Sequence, residues 1–161
     1  MRAYIDTYYF QLAFTLTLVF LNEEHGLAVA TPFKMVLENT VNEEQVIALF
    51  GDWNDALATG DPDVVTNMYA EDAVLLPTVS NQVRHNHAEV EDYFVHFCAK
   101  GPVGKIDEAN VRTFGDIAIN SGVYTFTFKD GAVVQARFTF VYRWNGQRWL
   151  IVEHHSSQMP E

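Results

Sequence analysis

The chain has 161 residues, 48% of them hydrophobic and 19% charged, which is the size and composition of one globular domain and not of a disordered chain. Ten basic residues against 21 acidic ones give a formal net charge of -11, which excludes the basic footprint that nucleic acid and anionic membranes require. Cys98 is the one cysteine, so the sequence holds no intrachain disulfide, CxxC redox pair or cysteine zinc motif.

The charge is uneven along the chain. Residues 41–116 hold 4 basic and 14 acidic groups, whereas residues 117–161 hold 4 basic and 3 acidic groups among many aromatics. An acidic, mainly helical part is therefore followed by a nearly neutral, aromatic one.

In chain order, Phe10 to Leu21 form an uncharged stretch, FQLAFTLTLVFL. A membrane-spanning helix needs about 20 apolar residues, so no integral membrane span is expected. The stretch fits the apolar core of an export signal, and Ala28-Val29-Ala30 before Thr31-Pro32 supplies a cleavage pattern. Residues 1–30 are thus expected to be a signal peptide, residues 31–40 a linker and residues 41–161 the folded domain, periplasmic or secreted. If the stretch is instead a retained apolar helix packed on the domain or a partner, the protein is expected to be cytoplasmic.

Asn42-Glu43-Glu44-Gln45 has the pattern of a capping box. Val46, Leu49, Phe50, Trp53, Ala56 and Leu57 then recur at helical spacing, with Gly60 as a stop. Asp61-Pro62 restarts a short helix, with Val64, Val65, Met68 and Tyr69 facing inward. Ala73 to Leu76 reads as a short strand halted by Pro77. Asn86 caps a third helix with Val90, Tyr93, Phe94, Phe97 and Cys98 on one face, ended by Gly101-Pro102. Period-two strands follow over 105–114, 117–128, 133–144 and 148–157. Helices followed by an antiparallel meander imply an α+β fold, one curved antiparallel sheet with the N-terminal helices on its concave face.

Asp130-Gly131 and Asn145-Gly146 are hairpin signals. Read as two-residue turns, they place Tyr124 opposite Arg137 and Arg137 opposite His154. One sheet face then carries Tyr124, Gln135, Arg137, Thr139, His154 and Ser156. The other carries Phe138, Phe140, Tyr142, Trp149, Ile151, Glu153 and His155. The first, mixed face suits a pocket for a small polar or carboxylate ligand, because buried polar groups need partners. The second is too apolar to stay exposed and is expected to pack against a second copy of the chain.

Four stretches carry a resemblance: ALATGDPDVVTNMYAEDAVLLPTVSN, GVYTFTFKDG, ARFTFVYRWNG and RWLIVEHHSSQMPE. With them the chain resembles the nuclear transport factor 2-like superfamily in its SnoaL-like branch. It is most similar there to small bacterial proteins like the association (hub) domain of calcium/calmodulin-dependent protein kinase II. The resemblance implies a cone-shaped α+β roll closed around a pocket, and assembly through sheet faces as dimers or larger rings. In the kinase hub the pocket carries arginines on the late strands and binds small carboxylates. Those positions correspond to Tyr124, the Arg137–Thr139 region and Ser156. No kinase motif or basic calmodulin-binding helix is present, so neither activity carries over. No nucleotide-binding glycine loop or flavin motif is present, and no cofactor is expected.

Three functions remain open at this point. The first is a noncatalytic oligomeric module whose pocket, lined by Tyr93, Tyr124, Arg137, Thr139, His154 and Ser156, holds a ligand. The second is a SnoaL-like isomerase, cyclase or hydratase with His154 as base. The third is a pure assembly domain. Arg84, His85 and His87 read as a loop near the pocket mouth, since two histidines alone are a weak metal signal and no metal is expected. Cys98 reads as helix packing. Trp53, Tyr69, Tyr93 and Phe97 are expected to line core and pocket together.

Overall fold

The computed structural model describes residues 41–160 of the chain. The expected signal peptide and linker lie outside the described residues.

Helix α1 spans Glu43–Ala58 and opens on the expected capping box. The Asn42 side chain accepts from the Gln45 backbone N–H, and the Gln45 side chain accepts from that of Asn42. Val46, Phe50, Trp53, Ala56 and Leu57 form its buried stripe. Helix α2, Pro62–Thr66, is capped by Asp61. Strand β1 spans Tyr69–Leu76 and helix α3 spans His87–Cys98. Strands β2 (Val103–Phe114), β3 (Ile117–Thr127), β4 (Val133–Trp144) and β5 (Trp149–Gln158) complete the fold. Tyr69, expected on the second helix, instead begins β1, which is four residues longer than its apolar run suggested. Exposed Glu71 and Asp72 interrupt the alternation there.

The fold is α+β, as expected, and the curved, open sheet is mixed. Its order is β1-β5-β4-β3-β2, with β1 parallel to β5 and every other pairing antiparallel. The meander therefore acquires a fifth strand from the helical half of the chain. The helices cover the concave face, where Phe50, Trp53, Phe94, Tyr124, Phe138 and Phe140 build an aromatic core. Trp53 meets Phe94, Phe126 and Phe140 edge-on at 5.3 to 6.3 Å between centroids, a favoured aromatic geometry. Among the described residues no helix is long and apolar enough to cross a membrane.

The two hairpins differ from the two-residue reading, and the reason is conformational. A two-residue type I′ turn needs positive φ at both central residues. No non-glycine residue among those described has positive φ, so only Gly131 and Gly146 can supply it. The β3–β4 hairpin is therefore a three-residue loop, Lys129-Asp130-Gly131, closed by Phe128 N–H to the Ala132 carbonyl, and Tyr124 pairs with Ala136. The β4–β5 loop takes four residues, Trp144 pairing with Trp149. A bulge at Val152 then adds one more step, so that Phe140 pairs with His154. The β3–β4 register thus moves by one residue, and the β4–β5 register by two at the loop and by three beyond the bulge, so past the bulge β4 turns over relative to both neighbours. Phe138, Phe140, Tyr142 and Ile151, expected to face a partner, are buried in the core. Arg137 and Thr139, expected in the pocket, lie on the convex face. The two shifts cancel between β3 and β5, so Tyr124, His154 and Ser156 share the concave face.

Candidate functional site

The curvature of the sheet and the end of α3 enclose a cavity of about 330 Å³. Its wall is aromatic, from Trp53, Tyr93, Phe94, Phe97, Tyr124 and Phe126, with Ala136 and Val134 from β4. Its exposed rim is formed by Val79, Lys100, Asp130 and Ala132. The hairpin end of β3 is tied to the end of α3 by Lys129 N–H to the Lys100 carbonyl.

Two polar systems reach this wall. The first is a relay behind His154. Trp53 Nε1, which can only donate, donates to the Tyr69 hydroxyl at 3.2 Å. The Tyr69 hydroxyl lies 2.9 Å from His154 Nδ1. Tyr69 oxygen is thus an acceptor for Trp53, and Nδ1 is the one acceptor that the described residues offer its own buried proton, which assigns that proton to the Tyr69–Nδ1 bond. The neutral imidazole consequently carries its proton on Nε2, which is buried without a partner. Burial, and secondarily the neighbouring His155, hold the His154 pKa down to about 3, so the ring is neutral at physiological pH. Phe140 stacks on it at 3.9 Å between centroids.

The second system is a hydroxyl chain. Tyr124 donates to Ser156 Oγ, which bonds Thr78 Oγ1 in turn. Three hydroxyl protons serve two internal bonds, so one proton and several lone pairs are left for a guest. Burial raises the Tyr124 and Tyr93 phenols above their ordinary range, so both remain hydroxyls. The wall is therefore neutral throughout, and the charged lining residues, Lys100 and Asp130, sit at the rim.

The structure brings together Tyr93, Tyr124, His154 and Ser156 of the expected site. It separates Arg137, which is exposed and donates to the Gln158 carbonyl at 3.4 Å, and Thr139. Glu153 and His155 lie with them on the convex face, while Trp149 is half-buried against Trp144 at the hairpin end. His85 and His87 do not converge: His85 Nδ1 lies 3.4 Å from a Glu89 carboxylate oxygen, and His87 donates Nε2–H to the Tyr69 carbonyl at 2.8 Å. Cys98 is buried. Thr78 and Lys100 were not singled out by sequence. Pro77, which stops β1, is the only signal that the next residue leaves the sheet and turns over the pocket.

Comparison with known proteins places this geometry. The family model of the calcium/calmodulin dependent protein kinase II association domain matches residues 42–160. A crystal structure from Xanthomonas campestris, named for the same association domain, is 50% identical. It aligns over 78% of this chain and 94% of its own, with a TM-score of 0.72. An NTF2-like protein of Pseudomonas putida is similar in fold at 18% identity, covering 74% and 87% of the two chains with a TM-score of 0.65. A cystatin-like fold from Caulobacter vibrioides is similar at 14% identity, covering 73% and 89% with a TM-score of 0.60. No curated protein matches the chain.

Proposed function

The chain belongs to the calcium/calmodulin dependent protein kinase II association domain family, and on that premise we propose that it is a self-associating domain that holds a small molecule in its sheet concavity. The observation that carries the reading is the 330 Å³ cavity itself, largely aromatic and aliphatic within, with the Tyr124–Ser156–Thr78 hydroxyl chain and His154 as its inner polar groups. Binding sites of roughly 300–1,000 Å³ with apolar walls and a few convergent polar groups hold small ligands. The guest is a compact ring or branched body that sets one hydroxyl, carbonyl or carboxyl against that chain. Self-association uses the convex face, where half-buried Ile119, Val123 and Val141 alternate with Arg137, Thr139, Glu153 and His155.

The isomerase, cyclase or hydratase reading is less favoured. A general base needs a lone pair aimed at its substrate. The His154 lone pair on Nδ1 is engaged by Tyr69, and its Nε2 bears the proton. The test is a thermal-shift and tryptophan fluorescence titration, of which Trp53 is the cavity's reporter, with small aromatic and alicyclic alcohols, ketones and carboxylates. A ligand at a hundredfold its Kd adds about 2.7 kcal/mol of stability. At least one class is expected to raise the Tm of the wild type, and to do so less in Ser156→Ala. A panel that leaves both Tm and fluorescence unmoved overturns the reading.

A further inference from the structure

A second concavity of about 200 Å³ adjoins the first, and the two share Val79, Tyr93, Phe97 and Lys100. Its remaining lining comes from Ser80, Arg84 and His96. The ionisable side chains around it are thus a guanidinium, an ammonium, an imidazole and a phenol, with no carboxylate among the lining residues. This is unusual in a segment that holds 14 acidic groups against 4 basic ones, since Arg84 and Lys100 are two of those four.

Arg84 is held in place before any guest arrives. Its backbone exchanges two hydrogen bonds with Leu75 of β1, each of 2.9 Å, which brings an isolated loop residue against the sheet edge. Its residue exposure is 9%, yet its one carboxylate contact, Asp92 at 3.1 Å, has a side chain that is 60% exposed. The Arg84 Nε is buried with no acceptor. A guanidinium buried to this degree is ordinarily satisfied by several acceptors. Neither Lys100 nor His96 forms an ion pair among the described residues.

We propose that this recess is an anion subsite, and that the molecule held by the domain is an amphipathic organic acid, its ring or branched body in the aromatic cavity and its carboxylate between Arg84 and Lys100. The proposal rests on the cavity-binding reading above and adds the ligand's charge and orientation. Its cations come from the loop before α3 and the end of α3, not from the late strands. The planar, bidentate guanidinium and the mobile ammonium suit a carboxylate approached from the rim. Concave, low-dielectric walls strengthen the pairing by focusing the field.

The test uses phenylacetate, phenylpropionate and phenylbutyrate, each against its uncharged carboxamide, titrated into the wild type, Arg84→Gln and Lys100→Gln by calorimetry. The acid of at least one length is expected to bind the wild type about tenfold or more tighter than its amide, as a charge-assisted hydrogen bond provides. That preference is expected to fall with added NaCl and to shrink toward unity in both variants. Equal binding of acid and amide overturns the anion subsite and leaves the cavity reading standing. An acid preference that survives in both variants overturns the assignment to Arg84 and Lys100. Failure of every acid and amide to bind overturns both readings. Lys100 is exposed, so Lys100→Gln decides the matter if Arg84→Gln does not fold.

Discussion

At the scale of single residues, His154 shows how much depends on a proton's location. Its hydrogen-bond partner and burial make it a fixed, neutral donor where its sequence context suggested a base. This has a pH signature. Folding lowers the pKa from its ordinary value near 6.5 to about 3, so between those values the unfolded chain binds a proton that the folded chain does not. Stability is therefore full above about pH 6.5 and is lost as the pH falls through that window, with a slope of up to about 1.4 kcal/mol per pH unit. Urea denaturation between pH 7.5 and pH 5 is expected to show the decline in the wild type and a flatter profile in His154→Leu. Glu89 and Asp107, whose pKa values are lowered from 4.5 and 3.8, act below that range. Tyr69→Phe removes the acceptor for Trp53 and the donor to His154, and is expected to cost about 1–3 kcal/mol in the same assay. A variant as stable as wild type would mean that the relay contributes nothing. Tyr124, His154 and Ser156 were read onto one face, and they share it because the errors in the two hairpin registers cancel between β3 and β5. The Tyr69 link was not legible, because it joins β1 to β5, two strands far apart in sequence.

At the scale of elements, caps and glycines were legible where the local chemistry has one solution. Asn42, Asp61 and Asn86 cap the helices that their side chains suggested, and Gly60 and Gly101 follow helices at positive φ. The hairpins were not, because Asp-Gly and Asn-Gly each permit several loop lengths. Asp130 kept at negative φ moves the whole of β4 against β3 by one position. The placement of Arg137 and Phe138 was lost to that single step, although every strand was found. The β2–β3 pair holds a similar constraint. Asp107 is an extra residue between Ile106 and Glu108, and the crowding it creates is met by Gly122, where an added Cβ would stand 1.9 Å from the Glu108 carbonyl oxygen. Gly122→Ala must displace backbone, and a loss of more than about 2 kcal/mol is expected by denaturant titration. A near-neutral result would show that the bulge can relax.

At the scale of the whole molecule, the division of charge follows the division of labour. The acidic helical layer faces outward, and the nearly neutral sheet offers a concave face to the cavity and a convex face with room for another copy. Two apolar faces were legible from the sequence, but their membership on β4 was exchanged. The face proposed for self-association is consequently more polar than its sequence reading, with Arg137, Glu153 and His155 between the aliphatic residues. Interfaces of that mixed kind are sensitive to placed charge. Val141→Lys, on the convex face, is expected to shift the protein by light scattering from an assembly toward the 18.3 kDa single chain, with its Tm in dilute solution little changed. A wild type that is itself monomeric at micromolar concentration would remove the convex-face proposal.

The bulge at Val152 carries a consequence for how this pocket can vary. Ile151 before it and His154 and Ser156 after it all point inward only because one residue is inserted between them. The strand thus behaves as a two-position commutator. Straightening the bulge with every residue kept would send Ile151 to the solvent side if the later pairing held, and His154 and Ser156 there if the earlier pairing held. A lineage that straightens this bulge without losing a residue exchanges the polar inventory of its cavity in a single step, whereas one that loses Val152 together with the bulge keeps it.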